Sequence, residues 1–208
     1  RCACLFRSPR NRTRPANLPG GRPRLILEIF SRLPHHIHMS NFSWPTAFRL
    51  LFDRCIENYR SGNSDFSSYY SEEDLVFLDS IGYKPREFFD FVEDYCDESV
   101  PTPEDALLIA AVRRDYLDVV LKGQKSSSIV PNGSLPEKDS ELGGHRWLPR
   151  IITKARAKLA GELDPETMFS CGGDRAFLSS HDIHAADFLR AVWAAGDDDQ
   201  KIVDYVER

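Results

Sequence analysis

Arg146, Arg150, Lys154 and Lys158 recur every fourth residue, with Arg156 beside them, so a helix through this stretch carries a ridge of cations. Guanidinium and ammonium groups give charge-assisted hydrogen bonds to oxyanions, so such a ridge can hold a phosphate, a carboxylate or an acidic protein surface. The same spacing also serves a solvated face whose long stems cover apolar surface and whose heads pair with neighbouring Asp and Glu. Further on, Cys171-Gly172-Gly173-Asp174 puts a thiol and two glycines directly before a helix start. Free backbone N–H groups there can stabilise a thiolate or bind an anion, which makes Cys171 the one candidate nucleophile, with Lys154 and Arg156 able to orient an anionic substrate. The plainer alternative is a packed thiol with Asp174 as a helix cap. His181, His184 and Asp187 lie three apart and would share a face on one helix. A helix boundary between the two histidines breaks that face, so no metal or other cofactor is expected. The chain holds no GxGxxG, P-loop, GxSxG or HExxH motif.

These residues must be positioned by helices. Trp44, Phe48, Leu51, Phe52, Cys55 and Tyr59 form a stripe at helical spacing. Ser71 and Asp74 resemble a capping pair for a short helix that Gly82 stops, and Pro85 opens a third helix with Phe88, Phe89, Phe91 and Val92. Thr102-Pro103-Glu104-Asp105 opens a fourth, with a hydroxyl cap, proline in the first turn and two acids. A second set of helices is expected at roughly 146–160, 174–181, 184–195 and 198–207 by the same periodicity. Phe66 to Tyr70 and Thr167 to Cys171 could each form a short strand. The expected fold class is all-α.

Residues 148–192 read as a diverged second copy of residues 48–92 at a constant offset of 100. Phe77/Phe177, Leu78/Leu178, Ser80/Ser180, Phe88/Phe188, Val92/Val192 and Asp74/Asp174 coincide. Gly62 and Gly161 fall just past the leading helix of each copy, where a left-handed cap favours glycine. The expected organisation is a leader at 1–38, a first helical unit at 39–121, a flexible linker at 122–141 rich in Gly, Ser and Pro, and a second unit at 142–208. The two units either pack together or are joined only by that linker.

Leu142-Gly143-Gly144, Leu148-Pro149-Arg150, Lys154-Ala155-Arg156, Leu159-Ala160-Gly161, Cys171, Asp174, Phe177-Leu178 and Ile183 follow one another in an order that resembles the bacterial domain-of-unknown-function family numbered 5069. The resemblance covers residues 142–208. It departs at Gly172, where the family has proline, and at His181-Asp182, which replace a glycine step. It implies a fold and a bacterial origin and brings no chemistry.

Residues 1–38 hold eight Arg, no Lys and a single acid, Glu28, and Met39 follows at once. This segment reads as translated upstream sequence with Met39 as the start, or else as a basic arm or transit peptide. Without it the net charge moves from −5 to −12. An acidic body repels phosphate backbones and anionic membranes, so neither nucleic acid nor membrane is expected as a partner. Five cysteines without a CxxC pair suggest a reducing, cytoplasmic setting, with Cys55 a small buried hydrophobe. Fifteen of the 23 aromatic residues lie between Phe42 and Tyr116, an excess that could offer surface to the second unit or to another chain. The leading functional expectation is a helical binding module that uses Arg150, Lys154, Arg156 and Lys158 on an unknown protein or small anionic ligand. The alternative is a small enzyme or anion-binding domain centred on Cys171.

Overall fold

Local signals start and stop the helices where periodicity places them. The computed structural model describes residues 41–208 apart from Ser64, so the expectations for residues 1–38 lie outside the described residues. Helix α1 spans Trp44–Arg60, α2 Glu72–Ser80, α3 Pro85–Glu98 and α4 Pro103–Val119. After them come α5 Leu148–Ala160, α6 Gly172–Ser180, α7 Ala185–Ala195 and α8 Asp199–Val206. Capping boxes open α2 through Ser71 and Asp74 and α4 through Thr102 and Asp105, each satisfying N–H groups that a helix start leaves orphaned. At the end of α5, Gly161 adopts φ +78° and donates back to Ala157 O and Lys158 O, a left-handed cap that glycine alone enters without strain. The fold is all-α, as expected.

The strand expectations fail for a local reason. Phe66–Ser68 is a 3₁₀ turn, because the Asp65 side chain accepts from Ser67 N at 3.1 Å and curls the chain. Around Thr167 the backbone turns instead through Thr167 N to Asp164 O, 2.9 Å. Among the described residues the strands that form are β1 Glu141–Leu142 and β2 His145–Arg146, paired antiparallel around Gly143-Gly144, both at positive φ. A Gly-Gly pair is a hairpin signal in its own right, and sequence reasoning passed over it.

The eight helices of the described residues belong to one compact unit. A continuous core runs from Phe48, Phe52, Phe88 and Phe91 through Ile109 and Ala110 to Ile151, Ile152, Phe188 and Leu189. Helix α4 is the shared wall, packing on α1 on one side and on α5 and α7 on the other. The two halves therefore pack together. The aromatic excess is largely absorbed within the first half, where Phe48, Phe52 and Phe88 are buried against one another, Phe89 against Tyr59, Phe66 and Tyr69, and Phe91 against Tyr83. Tyr116 meets Trp193 edge-on at 5.4 Å across the halves, and Phe42 stays exposed. Residues 120–140 are helix-poor but tethered to the second half: Val130 N donates to Glu162 O at 2.8 Å, and Leu135 is buried.

Candidate functional site

Residues brought together at the junction of α5 and α6 form the densest polar centre among those singled out from sequence. Asp174, in the first turn of α6, is wholly buried and accepts from three donors. Trp147 Nε1 reaches Oδ1 at 2.9 Å, Ser170 N reaches Oδ2 at 2.9 Å, and the Lys154 ammonium forms an ion pair with Oδ2. Lys154, only 3% exposed, also points its Nζ at Cys171 Sγ, 3.2 Å away. Cys171 is the N-cap residue of α6 and is half-exposed, and its side chain makes no capping bond. The site thus presents a thiol to solvent at a helix start, with an ammonium behind it and a fully bonded carboxylate behind that.

Two residues that feed this centre are backbone outliers. Trp147 and Ser170 sit at φ +72° and +69°, a left-handed region that non-glycine residues enter at a cost. Their strain persists because the surroundings hold it. The Trp147 indole packs so close to α6 that a Cβ built on Gly173 would come within 2.4 Å of the ring. Asp174 therefore does more than its counterpart Asp74. Asp74 closes a capping box on Ser71 and pairs with the half-exposed Arg54, whereas Asp174 bonds Ser170, one position before the cap, and is buried with Lys154.

The expected cationic ridge does not exist as one surface. Helix α5 is flanked by α4 and α7, so its covered arc is wider than a single apolar stripe and takes in Lys154 and Lys158. Each cation has its own partner. Arg146 pairs with Glu141, while Arg150 donates to Pro136 O at 2.7 Å and lines a shallow hollow with Asn132 and Lys138. Arg156 donates to Gly196 O at 2.8 Å and forms an ion pair with Asp199 at 2.7 Å, which anchors it where α7 ends and α8 begins and not at Cys171. Of the residues expected to serve the thiol, only Lys154 reaches it.

Lys158, 1% exposed, enters a second centre formed with the first half. Its ammonium pairs with Glu87 and stands 3.6 Å from the centre of the Tyr83 ring. Burial pulls its pKa from 10.5 down to about 8, partly opposed by Glu87. The folded-state pKa lies below the unfolded one, so above pH 8 the unfolded chain holds the extra proton and stability rises with pH. Above pH 9 the opposite effect enters from Cys55, whose thiol burial pushes up to about 12. We therefore expect the urea midpoint of the wild type to rise from pH 8 to about 9, and that of Lys158→Met to lack this rise. Equal pH slopes in the two proteins would remove Lys158 as the source.

The histidines separate as the helix boundary requires. His181 contacts His145 at 3.2 Å and Phe177 O, while His184 bonds Asp105 across the halves at 3.0 Å and caps α7. Sequence reasoning missed Trp147, Ser170, Glu87 and Tyr83, and also Arg113, a buried cation that stands close enough to Lys158 to repel its charge. Only long-range packing brings these residues to the two centres, and no spacing rule announces them.

The fold and site together define an all-α domain with a half-exposed thiol on a buried ion-pair hub. A family model described as Domain of unknown function (DUF5069) matches residues 136–208, which takes in β1, β2 and all four helices of the second half. No curated protein and no solved structure matches the chain. Among the described residues no helix is long and apolar enough to cross a membrane.

Proposed function

We propose that this domain is a binding module made of two related helical units, with Cys171 as its reactive centre and a small anionic molecule as its ligand. The observation that carries the reading is the Lys154 ammonium 3.2 Å from the half-exposed Cys171 sulfur. An ammonium and a helix first turn are the two features that stabilise a negative sulfur in reactive cysteines, and both also favour an approaching anion. Asp174 pairs with the Lys154 ammonium, which therefore stays fixed beside the sulfur. Its part is electrostatic. A cytoplasmic, bacterial protein that avoids nucleic acid and anionic membranes belongs to the same reading, in keeping with the acidic body and the free thiols at Cys55, Cys96 and Cys171.

Common ancestry of the halves is supported by register. Helices α2 and α6 span 72–80 and 172–180, and α3 and α7 start at 85 and 185, each an offset of 100. The same offset relates the ion pairs Arg54–Asp74 and Lys154–Asp174. On this reading the pair is an inherited fastener between the first two helices of a unit, and the thiol is an addition confined to the second.

Competitive alkylation of the native full chain tests the site, with half-buried Cys96 as an internal reference. We expect anionic iodoacetate to label Cys171 about tenfold faster than Cys96, the effect of about 1.4 kcal/mol of charge stabilisation. Neutral iodoacetamide should give a smaller preference. Lys154→Arg, which restores the pairing of the first half, should keep the iodoacetate preference. Labelling of Cys171 no faster than Cys96 by either reagent refutes the proposal.

A further inference from the structure

The second buried centre holds more positive than negative charge. Arg113 of α4 and Lys158 of α5 are 2% and 1% exposed, and half-buried Lys84 stands close enough to Lys158 to repel its charge. One carboxylate, Glu87, faces all this, and Lys158 already occupies it. Among the described residues, the Arg113 Nε and Nη1 groups find no hydrogen-bond partner, and neither does the hydroxyl of Tyr83, itself 4% exposed. Buried guanidinium groups are almost always paired, because removing a cation from water without a partner is among the most expensive things a fold can do. Satisfied ion pairs elsewhere in this molecule, such as Lys154 with Asp174, show the usual outcome.

The Arg113 guanidinium lies beneath two chain turns. Nη2 of Arg113 rests against Gly82, after α2, and Gly161, after α5; a Cβ there would come within 2.9 and 2.5 Å of the guanidinium. Both glycines are half-exposed, so the turns form the wall between the guanidinium and solvent. Lys84 spans them, donating to Leu163 O at 2.7 Å. A side chain at either glycine would close this approach.

We propose that Arg113, Lys158, Lys84 and Tyr83 form a site for one small oxyanion group, a phosphate or a carboxylate, entering between the Gly82 and Gly161 turns. The three cations offer only donors and positive charge and the phenol hydroxyl can donate as well, a set that an anionic acceptor satisfies and a cation or a neutral apolar ligand does not. Glu87 acts as the internal competitor for the same cations, so a ligand here also loosens the Lys158–Glu87 contact between the halves. The site is separate from Cys171 and does not depend on its chemistry.

Thermal unfolding of the full chain, titrated with sodium phosphate or sodium acetate against sodium chloride at equal ionic strength, tests it. A ligand that binds only the folded state raises the midpoint in a saturable manner. We expect saturation above the chloride baseline in the phosphate or the acetate arm, and the arm saturating at lower concentration identifies the group. Arg113→Gln should abolish it, Glu87→Gln should lower the half-saturating concentration at least fivefold, and Cys171→Ser should leave it unchanged. Phosphate and acetate curves that both superpose on the chloride baseline overturn the proposal whether or not the variants fold. Saturation that persists unaltered in Arg113→Gln or Glu87→Gln overturns it equally.

Discussion

Asp174→Ala is expected to lose about 3–5 kcal/mol of stability, the cost of leaving a buried charge without its partner. The loss has named parts. Lys154, 3% exposed, would be left buried with only the Cys171 sulfur nearby, and the Trp147 and Ser170 N–H donors would lose their acceptor. Asp74→Ala in the first half removes the homologous-looking pair with Arg54, whose side chain is 48% exposed, so the loss there is about 1 kcal/mol, the value of a helix cap. Urea denaturation of the two variants measures the contrast. Lys154→Met/Asp174→Asn should be less destabilised than the sum of its single changes, because neutralising both members removes the buried charge altogether. Similar losses at positions 74 and 174 would show that burial does not set the value of these pairs.

Gly173→Ala is expected to destabilise the domain by about 1–3 kcal/mol, in the range of overpacking a filled site. Helix propensity alone predicts the opposite sign, since alanine is favoured over glycine inside a helix by about 1 kcal/mol. The added Cβ would stand 2.4 Å from Trp147 Cζ2 and 2.6 Å from Cη2. The ring cannot swing aside without giving up its bond to Asp174 at 2.9 Å, so the cost spreads to the whole hub. The neighbouring Gly172→Ala is the control: its Cβ would meet nothing nearer than Arg175 Nη2 at 3.9 Å. Thermal midpoints should fall for the first and change little for the second. A higher midpoint for Gly173→Ala would mean that the indole does not pack as described.

Much of the scaffold was legible from periodicity and punctuation. The capping boxes at Ser71–Asp74 and Thr102–Asp105, proline in the first turns of α3 and α4, and Gly161 after α5 set helix limits through forces acting within a few residues. The burial of Cys55 followed from its place on an apolar stripe. The candidate site was legible only in part. Cys171 before a helix start could be singled out together with Lys154 and Asp174, but the Trp147 indole and the Ser170 N–H that complete the hub could not, because neither lies at a spacing that marks it, and Arg156, expected beside the thiol, is held elsewhere.

Sequence by itself therefore determined the helices, their order and the residue types available for chemistry, since these depend on contacts over one or two turns. Tertiary structure alone decided which way the charges face. Four cations at one spacing became a surface pair at Arg146, a loop anchor at Arg150 and two buried partners at Lys154 and Lys158. Helical spacing places side chains on a face; whether that face meets water or another helix depends on how α4, α6 and α7 close around α5, which is set by packing across the whole core.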